Sequence, residues 1–143
     1  MIKAVRHTGV VVRNLEGSAE FYISLGFFEI SRAIEEGVFI DTVVGLQKTK
    51  LEWMKLKAPD GYLLELLQYH SHPDEKSIKK QKSNQLGCSH LAFSVGDISA
   101  VCEKIKRIGG SMVNLPALTK DKKVKVAYCH DNEGNLMEIV EVL

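Results

Sequence analysis

A chain of 143 residues has room for one ordinary domain with a real core, and 45% hydrophobic with 26% charged residues is the balance of a globular protein in water. Nineteen basic against eighteen acidic residues leave a net charge of +1, which removes the electrostatic reason to expect nucleic acid or an anionic membrane as partner. No apolar run reaches the length of a membrane span, and Met1–His7 lacks the apolar core of a signal peptide.

Residues 4–12 read as a strand from their β-branched content. Asn14 suits a helix N-cap, and Leu15, Ala19, Tyr22 and Ile23 then recur at helical spacing up to Gly26. Phe27–Arg32 reads as a second strand. Within 35–50, Val38–Leu46 reads as a short helix or flap. Leu51–Lys57 is a strand, and the turn Ala58–Gly61 folds it back as a hairpin onto Tyr62–Tyr69. That last strand is short and apolar, as expected of one covered on both faces, yet it carries Glu65 in its middle. A lone carboxylate there costs several kcal/mol, about 2–7, unless a cationic group meets it.

Residues 71–86 form a polar linker containing His72, Pro73 and a local basic run at Lys76–Lys82, read as a solvated loop. A strand at Cys88–Val95, a helix at Ile98–Ile108 stopped by Gly109-Gly110, and a short strand at Ser111–Val113 follow. Pro116–Lys123 reads as a polar loop, and Val124–His130 and Leu136–Val142 as two final strands. The three cysteines, Cys88, Cys102 and Cys129, are odd in number and lack paired spacing. They are expected to be free thiols of a reducing cytoplasm, buried as small hydrophobes.

The order is β-α-β-β-β, linker, β-α-β-β-β, with module 1 at 1–70 and module 2 at 87–143. The halves also match in detail. Arg6-His7-Thr8-Gly9-Val10-Val11-Val12 aligns with Ser89-His90-Leu91-Ala92-Phe93-Ser94-Val95, and Asp60-Gly61-Tyr62-Leu63-Leu64-Glu65-Leu66 with Glu133-Gly134-Asn135-Leu136-Met137-Glu138-Ile139. This is an internal duplication. Each copy has a His early in its first strand and a Glu in the middle of its last: His7, Glu65, His90 and Glu138. Singly, each is better read as a structural residue. Jointly, matching residue types at matching places point to a metal site. If the halves pair about a pseudo-twofold axis, the four side chains converge, and two imidazoles with two carboxylates suit Ni, Zn, Co, Mn or Fe(II). Four ligands leave two positions of a six-coordinate ion for a substrate that chelates through two oxygens. His70, His72 and His130 lack such a match, the first two being expected at the surface; Trp53, Phe39 and Tyr69 are pocket or core aromatics.

The paired modules, the His-bearing first strands and the acidic-Gly turns before Leu-Leu-Glu-Leu and Leu-Met-Glu-Ile resemble the vicinal oxygen chelate superfamily over nearly the whole chain. The resemblance implies an α+β fold in which two paired βαβββ modules form a curved mixed sheet around a metal. It also implies a homodimer acting on a small molecule, and His7, Glu65, His90 and Glu138 as ligands. The extra carboxylate at Glu65 fits a metal-dependent lyase or isomerase of glyoxalase I type better than the Fe(II) dioxygenases or fosfomycin-type transferases. In such an enzyme Glu65 or Glu138 would move a proton beside a carbonyl. Val11 and Tyr69 stand where bacterial glyoxalase I has an Arg and an Asn, which counts against glutathione. A methylmalonyl-CoA epimerase-like racemase is a further alternative, although Gln68-Tyr69 stands where that enzyme has a His-Pro pair. A non-catalytic resistance or binding protein is another.

Overall fold

The computed structural model describes residues 1–76 and 81–143. Two compact units divide the chain, Met1–Lys76 and Ser77–Leu143. Each folds as a strand, a helix and a mixed sheet.

In the first unit β1 (Thr8–Val11) leads to α1 (Leu15–Ser24). The Asn14 side chain accepts a hydrogen bond from the Gly17 N–H at 3.0 Å, satisfying one of the helix's unpaired donors. Leu15, Ser18, Ala19 and Tyr22 recur every three or four residues and are buried, so one face of the helix packs onto the sheet. Tyr22 meets Phe21 and Phe27 edge-on. Gly26, at φ 110°, takes the chain out of the helix into β2 (Phe28–Glu36) in a conformation that side chains resist. After α2 (Val38–Val44) come β3 (Lys50–Lys57) and β4 (Leu63–Tyr69). The sheet order is β1-β4-β3-β2, with β1 parallel to β4 and the other pairs antiparallel.

The second unit repeats this plan with β5 (Leu91–Ser94), α3 (Ile98–Arg107), β6 (Ser111–Met112), β7 (Ala117–Leu118), β8 (Val124–His130) and β9 (Leu136–Val142). Its sheet order is β5-β9-β8-β6, with β7 also paired to β8. Asp97 caps α3 by accepting from the Ala100 N–H at 2.9 Å, and Ile98, Cys102 and Ile105 form the helix's buried stripe.

The duplication reaches individual hydrogen bonds. The first N–H of α1, on Leu15, donates to Gln68 Oε1 at 2.8 Å, and that of α3, on Ile98, donates to Glu141 Oε2 at 3.2 Å. Gln68 and Glu141 stand equally far beyond Glu65 and Glu138, so the last strand of each unit reaches across to hold the start of its helix.

Several expectations need correction. Residues 4–12 pair only over Thr8–Val11, and 88–95 only over Leu91–Ser94; β2 runs on to Glu36 because it pairs with the whole length of β3. The stretch 116–123 is not all loop: Ala117 and Leu118 pair with Val126 and Lys125. β4 is not covered equally on both faces. Leu64 and Leu66 are fully buried under α1, whereas Leu63, Glu65, Leu67 and Tyr69 on the alternate face are half-buried. Cys102 and Cys129 are buried as expected, but Cys88 is exposed, because β5 begins only after it. The expected basic loop falls partly on 77–80, outside the described residues.

Candidate functional site

His7 stands two residues before Gly9, which is in register with Glu65 across the parallel β1–β4 pair. Alternation along the strands therefore places the imidazole and the carboxylate on the same face. His7 Nε2 lies 3.0 Å from Glu65 Oε2. In the second unit His90 stands two residues before Ala92, in register with Glu138, and His90 Nε2 lies 3.0 Å from Glu138 Oε2. The two pairs are thus built by the same offset in the same parallel register and close to the same distance.

Their surroundings differ. His90 Nδ1 has Ser89 Oγ at 3.2 Å, whereas His7 Nδ1 is buried with no hydrogen-bond partner. Across the sheet from Glu65 stands Lys55. Its Nζ lies 3.4 Å from Glu65 Oε1, so the carboxylate gives one oxygen to the imidazole and the other to the ammonium. Lys55 Nζ also sits over the Trp53 ring, 4.5 Å from its centroid, and Trp53 Nε1 donates to Glu35 Oε1 at 3.3 Å. Across from Glu138 stands Tyr128, whose ring meets His90 edge-on with centroids 5.1 Å apart. Sequence comparison of the halves passed over Lys55 and Tyr128, since a strand pairing is not written in an aligned motif. The hairpins carried the signal: Lys55 and Glu65 are each five residues from Asp60, and Tyr128 and Glu138 are each five from Glu133.

Within each unit the gathering stops at a pair; among the described residues no group of three or more His, Cys, Asp or Glu side chains is arranged to hold an ion. His7 and His90 lie one residue ahead of β1 and β5, and each pair offers an imidazole nitrogen and a carboxylate, donor types that suit a divalent ion, with His7 meeting Glu65 through Nε2 while its buried Nδ1 has no hydrogen-bond partner.

The remaining histidines are occupied elsewhere. His70 is exposed, as expected, but its Nε2 pairs with Glu52 Oε2 at 2.9 Å. Glu52 also accepts from Arg32 at 2.6 Å, and Arg32 donates to Glu16 at 2.6 Å. Arg32 first and His70 second hold the Glu52 carboxyl below its usual range, and the two carboxylates raise the guanidinium further. His72 Nδ1 meets Ser71 Oγ at 2.8 Å. His130 is buried, with Nε2 donating to the Gln81 carbonyl at 2.9 Å. Beside it, Asp131 Oδ1 accepts from the Glu133 and Asn135 N–H groups and builds the turn before β9. Phe39 is largely exposed on α2, and Tyr69 is half-buried on the Glu65 face. No helix among the described residues is long and apolar enough to cross a membrane.

The model of the glyoxalase/bleomycin resistance protein/dioxygenase superfamily matches residues 4–139. The chain is 26% identical over 137 residues to a probable lactoylglutathione lyase of Vibrio cholerae, covering 96% of this chain and 89% of the relative. It is 28% identical over 137 residues to a lactoylglutathione lyase of Neisseria meningitidis, covering 94% and 88%. Among solved structures, a glyoxalase family protein from Bacillus cereus superposes with a TM-score of 0.92 at 24% identity, covering 100% of this chain and 96% of the other. A fosfomycin resistance protein of Listeria monocytogenes, solved with Mn(II) and sulfate, superposes with a TM-score of 0.64 at 15% identity, covering 100% and 95%. The α+β plan of duplicated units is the fold of these proteins, and the chain belongs to the glyoxalase/bleomycin resistance protein/dioxygenase superfamily.

Proposed function

We propose that the two units act as a single domain of a metal-dependent lyase or isomerase of glyoxalase type, active as a homodimer in the cytoplasm on a small substrate that chelates through two oxygens. The observation that carries this reading is the repeated His–Glu pair, 3.0 Å in each unit and built by the same register. One pair supplies too few donors to hold a divalent ion firmly; one pair from each unit supplies four. His7, Glu65, His90 and Glu138 are the proposed ligands. The names of the Vibrio and Neisseria relatives support a lyase, and the Mn(II) of the Listeria protein supports a divalent ion.

An ion so held supplies Lewis acidity toward a carbonyl oxygen. The chain's own residues supply the proton transfer. Glu65 and Glu138 are the carboxylates able to take a proton from the carbon beside the carbonyl and return it. They are not equivalent: Lys55 and His7 together engage both oxygens of Glu65, whereas Glu138 meets His90 and has Tyr128, not a lysine, opposite it across the sheet. Glu138 is therefore the proposed base, and Glu65 the fixed partner that becomes the second proton carrier when the substrate's other face is presented.

Metal content of the purified protein, beside that of a His7→Ala/His90→Ala double variant, tests the site. About one ion per chain is expected, absent from the variant. Deuterium uptake from solvent at the carbon beside the carbonyl of hydroxyacetone, and of the hemithioacetal of methylglyoxal and glutathione, tests the chemistry. Uptake by the loaded protein that survives in both Glu65→Gln and Glu138→Gln would sink the mechanism. An Fe(II) ion with oxygen consumption would transfer the reading to a dioxygenase. Failure to take up any of the candidate ions would leave a binding protein.

A further inference from the structure

The row across the first sheet that contains Glu65 reads Gly9, Glu65, Lys55, Ser31, one residue from each strand. Its outer members are small, and its centre is a carboxylate beside an ammonium. The corresponding positions of the second unit are Ala92, Glu138 and Tyr128. That unit closes its His–Glu pair to the same 3.0 Å with no cation opposite the carboxylate. Lys55 is thus not needed to build such a pair, and its charge calls for another explanation.

Holding that charge there has a cost. The Lys55 side chain keeps 24% of its exposure, and an ammonium held partly out of water is unfavourable unless matched. Glu65 and the face of Trp53 provide the match. When Glu65 serves an ion, that match weakens. A divalent cation with Glu65 and Glu138 is neutral, and Lys55 then leaves one positive charge beside it. The other charged groups on this face of β2 and β3 do not remove it. Glu35 lies four residues beyond Ser31 along β2, bonded to Trp53, and Lys57, a second cation, lies two residues from Lys55 along β3, so neither cancels the Lys55 charge.

We infer that Lys55 is a specificity-determining residue: beside the proposed metal ligand Glu65 it receives an oxyanionic group carried by the substrate in addition to its two chelating oxygens. Ser31, small and opposite Lys55, leaves room beside the ammonium, and Trp53 keeps the ammonium over the sheet rather than in water. The substrate class is therefore a small chelating acid, such as a hydroxy or oxo acid with a second carboxylate, rather than a neutral carbonyl compound. This deepens the proposed function and rests on its metal site.

Two probes separate the terms. Glycolate chelates through a hydroxyl and a carboxylate; tartronate chelates in the same way and carries one more carboxylate. Calorimetric titration of both into the Mn(II)-loaded protein is expected to show tartronate binding about tenfold tighter. In Lys55→Met, which keeps a flexible side chain against Trp53, the preference disappears because tartronate binding weakens by about tenfold more than glycolate binding does; in Lys55→Arg it persists. Mn(II) affinity, measured against a chromophoric chelator in the same three proteins, reports on the site itself. Failure of wild type to bind Mn(II) or any other candidate ion overturns the metal-site reading and this inference with it. Normal ion binding with equal affinity for the two probes, or with a preference that survives in Lys55→Met, overturns the inference alone.

Discussion

The first and second units share a frame and differ in what surrounds each His–Glu pair. In both, a His two residues ahead of a parallel register pair meets a Glu at 3.0 Å, and in both the final strand reaches over to hold the first N–H of the helix. The residue opposite the carboxylate across the sheet is Lys55 in one, paired with Glu65, and Tyr128 in the other, packed edge-on against His90. Strand register governs where a side chain points, and it repeats. What a carboxylate can do once there depends on the charge beside it, and that does not repeat. A duplicated fold thus offers two geometrically equal carboxylates with different chemistry.

The largest expected effect treats the halves as equals. If the proposed site holds, His7→Ala and His90→Ala are each expected to lower ion affinity by orders of magnitude, since each removes a proposed ligand and leaves an unmatched carboxylate. Metal content after gel filtration reads this directly. An effect confined to one histidine would break the symmetry of the site. The next effect separates the halves. Glu138→Gln is expected to reduce solvent-deuterium uptake by roughly 10²–10⁴-fold, and Glu65→Gln to act mainly through ion affinity, so that added metal restores part of its rate. The reverse pattern would make Glu65 the base.

A third prediction concerns the cores. Leu66 beneath α1 and Ile139 beneath α3 are almost wholly buried, and alanine at either is expected to cost about 2–5 kcal/mol in denaturant unfolding. The helix caps come below that. Asn14→Ala and Asp97→Ala should each cost about 1 kcal/mol, since each leaves an N–H of the first turn unpaired.

The smallest effect is acid sensitivity in the first unit. Glu52 has its carboxyl lowered by Arg32 and His70, and Asp41 by the N–H groups of Thr49 and Lys48. A depressed folded-state value means that the stabilisation is fully present above the unfolded carboxyl values, near 4.5 and 3.8, and fades as pH falls through the lower folded ones. Glu52→Gln and Asp41→Asn should flatten the acid limb of the stability profile. The thiols divide in the same spirit: Cys129 is pushed up to about 12 by burial and should resist alkylation in the native protein, while exposed Cys88 reacts.

Much of this molecule was legible in the chain. Asn14 announced its helix, Gly26 and Gly109 ended theirs, and the acidic-Gly turns delivered the two hairpins, because capping and positive φ are local demands that a few adjacent residues meet. The duplication singles out His7 with Glu65 and His90 with Glu138, and each of these pairs closes to 3.0 Å, since equivalent sequence folds to equivalent places. Tertiary structure decided the rest. It shortened β1 and β5 to the residues with partners, extended β2 along β3, and turned Ala117-Leu118 into a strand because β8 had an edge to pair. It exposed Cys88, buried His130 against the Gln81 carbonyl, and gave His70 to Glu52. Above all it set Lys55 against Glu65 and Tyr128 against Glu138. Such contacts join strands through register and fold-back, and a side chain's neighbours across a sheet are fixed by pairing rather than by the residues next to it in the chain.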